Sequence, residues 1–288
     1  MSMTRRVKTI YSGRPTLEGA GVRLSRIFGH AEVPNFDPFL LLDDFHSRNP
    51  QDYMAGFPWH PHRGIETVTY MTRGRVEHGD SLGNSGIIGP GDMQWMTAGS
   101  GIIHQEMPKA GENGHMGGLQ LWVNLPADQK MMPPRYREVR SGDIPVSREK
   151  NGVSVKVISG RYGSLQGPVQ DIIVEPEYFD VTVPSGQAFM HEVAGGHTVL
   201  AYVLEGQGMF SPGDIKPVGP GHLVLYDPGT EVRITGARDA LRFLLISGKP
   251  LGEPVAWYGP IVMNTREELQ LAFEEYRSGT FIKHDQSG

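Results

Sequence analysis

The stretch from Trp59 to Pro108 reads WHPHRGIETVTYMTRGRVEHGDSLGNSGIIGPGDMQWMTAGSGIIHQEMP. Its two ends carry four candidate metal ligands: His60 and His62 in an H-x-H pair, and His104 and Glu106 in an H-x-E pair. In a β-strand, residues i and i+2 point to the same face, so each pair can aim two side chains at one point. Two such pairs could enclose one ion.

Between the two pairs, the sequence alternates β-forming runs with turns. Residues 67–72, TVTYMT, are β-branched and aromatic, and Arg73-Gly74 ends the run. Glycine clusters at residues 83–86 and 89–92 are typical of turns. Strands, turns and candidate ligands therefore alternate as a small β-barrel requires.

Three imidazoles and one carboxylate favour Fe(II), Mn(II), Co(II), Ni(II), Cu(II) or Zn(II) over Mg(II) and Ca(II). An octahedral ion with these four protein ligands would keep two adjacent positions for water, substrate or oxygen. Such a ligand set supports three classes of function: a metal-dependent oxygenase, a metal-dependent isomerase or hydrolase, and a metal-sensing interaction protein.

Two runs of sequence resemble motifs of a known family. Residues 56–70, GFPWHPHRGIETVTY, and residues 90–106, PGDMQWMTAGSGIIHQE, are similar to the first and second motifs of the pirin family within the cupin superfamily. Weaker similarity extends from DPFLLLD at residues 37–43 to GPIVMNT at residues 259–265. The resemblance implies an all-β bicupin, in which two face-to-face jelly-roll β-barrels bind metal only in the N-terminal barrel.

The resemblance also implies a role for each residue of the motifs. The family's metal ligands fall on His60, His62, His104 and Glu106, with one divalent transition metal per chain and Fe(II) as the expected ion. Glu66 would lie behind the ligands and orient an imidazole by accepting its free N–H. The alternative for Glu66 is a strand carboxylate paired with a neighbour such as Arg63.

Pirins resemble quercetin 2,3-dioxygenases, which implies opening of a flavonol-like ring with O2. In that hypothesis Glu106 is the catalytic base that takes the proton of the flavonol hydroxyl. A pocket for a small aromatic substrate needs apolar walls. The apolar residues near the motifs that could supply them are Phe57, Trp59, Met93, Trp95 and Met96.

The alternative function is regulatory. The family is also linked to transcriptional co-regulation and to the binding of metabolic enzymes. A metal- or redox-sensing protein would bind a transcription factor or an enzyme without turnover. A surface around Arg63, Arg73 and Arg75 could then respond to the charge of the metal.

At 288 residues the chain is predicted to form two domains, with a metal-binding barrel over residues 1–130 and a second barrel over residues 131–288. Thr265 and Glu268 fit a capping box for a helix over about residues 265–278, which could pack across the two domains. Further strands are expected at residues 22–28, 119–125, 153–158, 172–174 and 178–183.

The second half repeats the first. Tyr202 to Gly206 corresponds to Tyr70 to Gly74, and this alignment places Glu192 and Ala194 opposite the H-x-H pair. The second barrel is therefore expected to lack metal ligands. Its remaining histidines are His191, His197 and His222, which lack same-face pairs and are expected to be structural.

The composition of the chain excludes or disfavours several kinds of site and partner. The chain has no cysteine, which excludes disulfides and thiolate sites, and a net charge of −5, which disfavours direct binding of nucleic acid. No apolar run has the form of a signal peptide or a membrane span, so no membrane association is expected and the predicted location is the cytoplasm.

Overall fold

The computed structural model describes residues 3–214 and 216–284, which form many short strands and one long helix. The strands of the first half are β1 (Val7–Ser12), β2 (Arg14–Glu18), β3 (Val22–Phe28), β4 (Phe39–Asp44), β5 (Phe57–His62), β6 (Ile65–Arg73), β7 (Arg75–Asp80), β8 (Ser85–Ile88), β9 (Met93–Thr97), β10 (Ile102–Lys109), β11 (Gly117–Asn124) and β12 (Arg135–Val139). Short 3₁₀ turns span Pro50–Asp52, Glu112–Gly114, Ala127–Gln129 and Ser141–Asp143.

The second half continues with the same kind of element. Its strands are β13 (Val146–Arg148), β14 (Ser154–Ser159), β15 (Arg161–Tyr162), β16 (Leu165–Gln166), β17 (Glu177–Val183), β18 (Ala188–Glu192), β19 (Thr198–Glu205), β20 (Gly208–Met209), β21 (His222–Tyr226), β22 (Glu231–Gly236), β23 (Leu241–Gly248), β24 (Ala256–Tyr258) and β25 (Ile261–Met263), followed by helix α1 (Arg266–Ser278). The predicted all-β bicupin class is confirmed.

One predicted strand is wrong. Residues 172–174 form a turn, in which the Glu175 N–H donates to the Ile172 carbonyl at 3.1 Å. Asp171 and Glu175 flank this turn with φ of 60° and 48°. Left-handed backbone at both ends prevents the extended conformation that the β-branched residues favour.

The chain divides into two compact units that are discontinuous in sequence. The larger unit contains residues 14–141 and the stretch from Leu251 onward, and the smaller unit contains the residues up to Gly13 and Gly142–Pro250. The sequence analysis instead expected two continuous domains that meet at residues 130 and 131. The helix α1 therefore belongs to the unit that carries the H-x-H and H-x-E pairs.

In the larger unit, a seven-stranded sheet with the order β12-β9-β6-β11-β4-β3-β2 lies opposite a four-stranded sheet with the order β5-β10-β7-β8. The side chains of Glu106 on β10 and Thr69 on β6 are hydrogen-bonded across the gap between them. The inward faces of these two sheets enclose the candidate site.

The smaller unit has a seven-stranded sheet with the order β1-β21-β19-β23-β17-β14-β13 and a three-stranded sheet with the order β18-β22-β20. Its interior is one apolar cluster in which valine predominates, with Phe179, Phe189 and Phe243 among the larger members. Burial of such side chains contributes about 1.5–3 kcal/mol each.

The predicted helix and its capping box are confirmed. The Thr265 Oγ1 accepts the Glu268 N–H at 3.2 Å, the Glu268 carboxylate accepts the Thr265 N–H at 3.0 Å, and Gly279 ends the helix at φ 76°. Its apolar stripe packs on Ile261 and Met263 of the same unit. Among the described residues, no helix has the length and apolar character to cross a bilayer. The cytoplasmic location stays a prediction.

Candidate metal centre

Three of the four predicted ligands meet on the inward face of the small sheet. β5 and β10 pair antiparallel with His60 directly opposite His104, and alternation brings His62 to the same face. One ring nitrogen from each histidine lies within 4.8 Å of the others. His62 and His104 are buried, and His60 is half-buried.

Backbone carbonyls orient two of the rings. The His60 Nδ1–H donates to the Pro58 carbonyl at 2.8 Å, and the His62 Nδ1–H donates to the Pro260 carbonyl at 2.9 Å. In these tautomers each Nε2 carries a lone pair, and the two Nε2 atoms face each other at 3.1 Å. Two lone pairs at that distance repel unless an electrophile lies beside them.

The arrangement fits a divalent transition metal. With metal–nitrogen bonds of about 2.0–2.1 Å, two imidazole nitrogens on one ion lie about 2.9–3.4 Å apart. The 3.1 Å separation of the His60 and His62 Nε2 atoms matches this range. Both ring nitrogens of buried His104 lack a hydrogen-bond partner, and coordination would satisfy one of them.

Burial keeps two of the imidazoles, His62 and His104, neutral, as metal binding requires. Burial, followed by the neighbouring His60, lowers the pKa of His62 to about 3. Burial, followed by the adjacent His62 and His60, holds the pKa of His104 well below its usual value. These two rings therefore present lone pairs without first losing a proton at neutral pH.

Glu106, the fourth predicted ligand, is held beside the cluster by side chains of the large sheet. Its Oε1 accepts the Thr69 hydroxyl at 3.0 Å, and its Oε2 accepts the Gln120 amide at 2.9 Å. It is not part of the group of three imidazoles. Its roles as ligand and as base stay predictions.

The structure does not place Glu66 near the imidazoles. Thr69 faces Glu106, and Glu66 lies three residues away on the opposite face of β6. Its Oε1 accepts the Thr97 hydroxyl at 2.6 Å, and burial raises its pKa. The backbone carbonyls of Pro58 and Pro260 therefore take the orienting role that the sequence analysis assigned to Glu66.

Arg63 is neither a partner of Glu66 nor a surface residue. It is 2% exposed and pairs with Glu275 of helix α1 at 2.7 Å. Arg63 therefore cannot belong to the predicted surface of Arg63, Arg73 and Arg75.

A row of polar side chains crosses the inward face of the large sheet in register. The pairing of six adjacent strands aligns Arg26, Asp43, Gln120, Thr69, Gln94 and Glu138. Asp43 on β4 accepts two hydrogen bonds from the Arg26 guanidinium, at 2.7 and 2.8 Å. The register between strands, which one sequence does not reveal, brings these residues together.

A cavity of about 690 Å³ opens beside the imidazoles. Its aromatic walls are Phe57, Trp59, Trp122 and Trp257, and its polar lining includes Glu18, Arg26, Asp43, His60, His62 and Gln120. Phe57 and Trp59 thus lie where a pocket was predicted. Met93, Trp95 and Met96 are fully buried and do not line it. Sequence reasoning missed Trp122 and Trp257.

The three histidines of the smaller unit form no comparable group among the described residues. The His191 Nε2 is bonded to Glu177 at 3.0 Å, and the His222 Nδ1 lies against the carbonyls of Gly219 and Pro220. These contacts are those of structural histidines. Alternation in β18 turns His191 inward beside buried Phe189, whereas the sequence alignment had placed Glu192 opposite His60.

Comparison with known proteins agrees with this geometry. The profile described as Pirin matches residues 21–123, and the profile described as Pirin C-terminal cupin domain matches residues 178–282. The chain belongs to the pirin family. A pirin-like protein of Caulobacter vibrioides is 46% identical over 278 residues, which cover 96% of this chain and 99% of that protein.

Human pirin is 40% identical over 282 residues, which cover 96% of this chain and 94% of that protein. The crystal structure of a quercetin 2,3-dioxygenase from Acinetobacter baumannii superposes with a TM-score of 0.87 at 33% identity and covers 97% of this chain and 99% of that chain. The similarity to both proteins extends over both units of this chain.

Proposed function

We propose that this pirin is a metal-dependent dioxygenase of the quercetin 2,3-dioxygenase type, which opens a flavonol-like ring with O2. The observation that carries the proposal is the cluster of three imidazoles at an aromatic-lined cavity. The A. baumannii quercetin 2,3-dioxygenase supports it through similarity over nearly the whole chain.

His60, His62 and His104 would hold one divalent ion, with Glu106 as the fourth ligand or the adjacent base. Fe(II) is the proposed metal, because a three-histidine, one-carboxylate set accepts it and Fe(II) can also transfer electrons. When bound, such a metal supplies Lewis acidity and electron transfer to O2.

The cavity suits a planar, hydroxylated aromatic molecule. Its volume of about 690 Å³ is in the usual range for small-molecule sites. The ring of Trp122 lies 5.8 Å from that of Trp257 and 5.0 Å from that of His62, so an apolar wall leads to the imidazoles. The wall would exclude water from the reacting ring.

The polar lining favours hydroxyl groups over carboxylates on the substrate. Glu18 and Asp43 both pair with Arg26, so this cluster carries one net negative charge. The spare lone pairs of its carboxylates can accept phenolic O–H groups. A carboxylate on the substrate would be repelled by the carboxylates of Glu18 and Asp43.

In this proposal Glu106 is the catalytic base, and its hydrogen bonds support that role. Thr69 and Gln120 each donate to one of its oxygens, which fixes the carboxylate while leaving further lone pairs open. Gln120 also lines the cavity, so the Glu106 carboxylate is hydrogen-bonded to a residue of the cavity lining. In the proposed reaction Glu106 takes the proton of the flavonol hydroxyl, one O2 is consumed, the heterocycle opens and one carbon leaves as carbon monoxide.

The test is anaerobic reconstitution with Fe(II), followed by oxygen uptake and carbon monoxide release with quercetin. We expect equal consumption of O2 and quercetin, abolished by His62→Ala and retained in the control His222→Ala. One bound metal per chain without O2 uptake would contradict the enzyme and favour the metal-sensing alternative, which metal-dependent capture of a transcription factor or enzyme would then test.

A further inference from the structure

The C-terminal segment, defined here as residues 256–281, contacts the last residue of β5 and the two residues that follow it. It lies in the larger unit, although the intervening Gly142–Pro250 forms most of the smaller one. Three consecutive residues, His62, Arg63 and Gly64, each bond to or pack against this segment.

The first link is to a metal ligand itself. The Pro260 carbonyl accepts the His62 Nδ1–H at 2.9 Å and so sets the tautomer and orientation of the ring. Pro260 lies in the turn between β24 and β25, where the Trp257 indole N–H donates to the Gly259 carbonyl at 2.8 Å. Displacement of this turn would remove the hydrogen bond that holds the His62 Nδ1.

The second link is the buried Arg63 guanidinium. Its Nη1 donates to Glu275 at 2.7 Å and its Nη2 to the Phe281 carbonyl at 2.9 Å, while the Phe281 ring lies 4.3 Å from the guanidinium carbon. Its Nε donates to the Ser100 carbonyl at 2.6 Å, in the loop that leads to β10 and His104. One side chain thus joins both ligand strands to the C-terminal segment.

The third link is a close backbone approach at Gly64. A Cβ on Gly64 would lie 1.9 Å from the Val262 carbonyl oxygen, so only glycine permits this packing. The Val262 N–H donates to the Arg63 carbonyl at 3.1 Å, and the Lys130 Nζ lies 2.8 Å from the Gly64 carbonyl and 3.1 Å from that of Val262.

From these three links we infer that metal binding and docking of the C-terminal segment are thermodynamically coupled, with Arg63 and Glu275 as positioning residues. The docked segment holds the His62 ring in the orientation that a metal needs. By reciprocity, a metal on His62 stabilises the docked segment by the same factor. This goes beyond the proposed dioxygenase activity and rests only on metal binding by the imidazoles.

The first arm of the test measures the Co(II) affinity of the full chain by competition with a chelating dye. Glu275→Ala leaves the ligands intact and removes the carboxylate partner of Arg63. The control is Glu274→Ala on the same helix, since Glu274 bonds to Gln270 instead. We expect Co(II) to bind about threefold to tenfold more weakly in Glu275→Ala and with unchanged affinity in Glu274→Ala. Direct partners of ligands contribute about 10–100-fold, and Glu275 should contribute less because it acts through Arg63.

A purely structural role for Glu275 would lower the unfolding temperature of the metal-free chain and leave the Co(II) dissociation constant unchanged. That result would overturn the coupling. Phe281→Leu is a second variant, which removes the ring under Arg63 but keeps the backbone acceptor. It should weaken Co(II) binding in the same direction.

The second arm uses the unaltered chain and hydrogen exchange with and without saturating Co(II). We expect Co(II) to slow exchange in residues 256–281, including the Val262 N–H, and to leave β18 of the smaller unit unchanged. Equal exchange in the C-terminal segment with and without bound Co(II) would overturn the inference while leaving the proposed function intact. A chain that binds no Co(II) would overturn both.

Discussion

The two seven-stranded sheets share the order of six of their strands, but one inward face is polar and the other is apolar. In the larger unit the aligned row across β3, β4, β11, β6 and β9 is Arg26, Asp43, Gln120, Thr69 and Gln94. In the smaller unit the row across β14, β17, β23, β19 and β21 is Val157, Phe179, Leu245, Ala201 and Val224. Every polar position in the first row is apolar in the second.

This difference shows that the fold does not need the polar row. Burying a polar side chain costs free energy unless its bonds are replaced, and a buried ion pair adds little net stability. The smaller unit fills the same positions with a continuous apolar cluster. The polar row is therefore best explained by the imidazoles and the cavity beside it.

The largest expected effect distinguishes the histidines of the two units. His62→Ala or His104→Ala should weaken metal binding more than about 100-fold, because loss of even an outer partner costs about 10–100-fold. His222→Ala in the smaller unit should leave metal binding unchanged. Metal content after dialysis against a chelator measures all three, and equal loss in the three variants would contradict a single site.

The second prediction converts part of the polar row towards its apolar counterpart. Asp43→Leu leaves the Arg26 guanidinium largely buried with Glu18 as its remaining partner, and should lower the free energy of unfolding by about 3 kcal/mol. The double variant Arg26→Met with Asp43→Leu should recover most of this loss. Urea denaturation measures both, and a single variant as stable as the wild type would show that the pair is not coupled.

The third prediction concerns the clamp on Glu106. Gln120→Leu removes one of the two donors to the Glu106 carboxylate and should lower quercetin turnover about tenfold at unchanged metal content. Gln105→Leu is the matched control, because Gln105 lies between His104 and Glu106 on the opposite face of β10. Equal turnover in the two variants would remove Gln120 from the proposed mechanism.

The effect that is smallest per unit of change is a pH dependence of the stability of the larger unit, counted per pH unit. Burial lowers the pKa of Lys130 from 10.5 to about 7. Between these values the unfolded chain binds a proton that the folded chain does not, so stability should rise with pH from about 7 to about 10.5, by at most about 1.4 kcal/mol per pH unit.

Tryptophan fluorescence during denaturation reports on this unit alone, since all four tryptophans (Trp59, Trp95, Trp122 and Trp257) lie in it. Lys130→Met should remove the Lys130 contribution to the slope. An unchanged slope in that variant would assign the pH dependence to another group.

The sequence was sufficient to predict features that depend on local spacing. The H-x-H pair, the H-x-E histidine and the capping box of α1 each need only a strand or helix period. The structure does not support the role that the family resemblance implied for Glu66, whose carboxylate accepts the Thr97 hydroxyl. Gly64, with a φ of 78°, separates β5 from β6, and these strands belong to different sheets, so counting residues from His62 does not give the face of Glu66.

Contacts distant in sequence could not be predicted. The Pro260 carbonyl that orients His62 lies almost 200 residues away, and nothing in its local sequence indicates a bond to an imidazole. The polar row depends on the register of six strands. A hydrophobic pattern indicates which face of the sheet a residue takes, but it does not indicate which residue of the next strand lies opposite. The alternating pattern predicted that Trp122 lies in a strand, but its position in the cavity wall depends on that register.

The most direct test of the account is a crystal structure of the Co(II)-loaded chain with anomalous scattering at the cobalt edge. We predict one anomalous peak per chain, about 2.0–2.2 Å from one ring nitrogen each of His60, His62 and His104. The same map would show whether Glu106 coordinates or stays bonded to Thr69 and Gln120. A peak elsewhere, or none at the imidazoles at saturating Co(II), would contradict the metal centre and the function proposed for it.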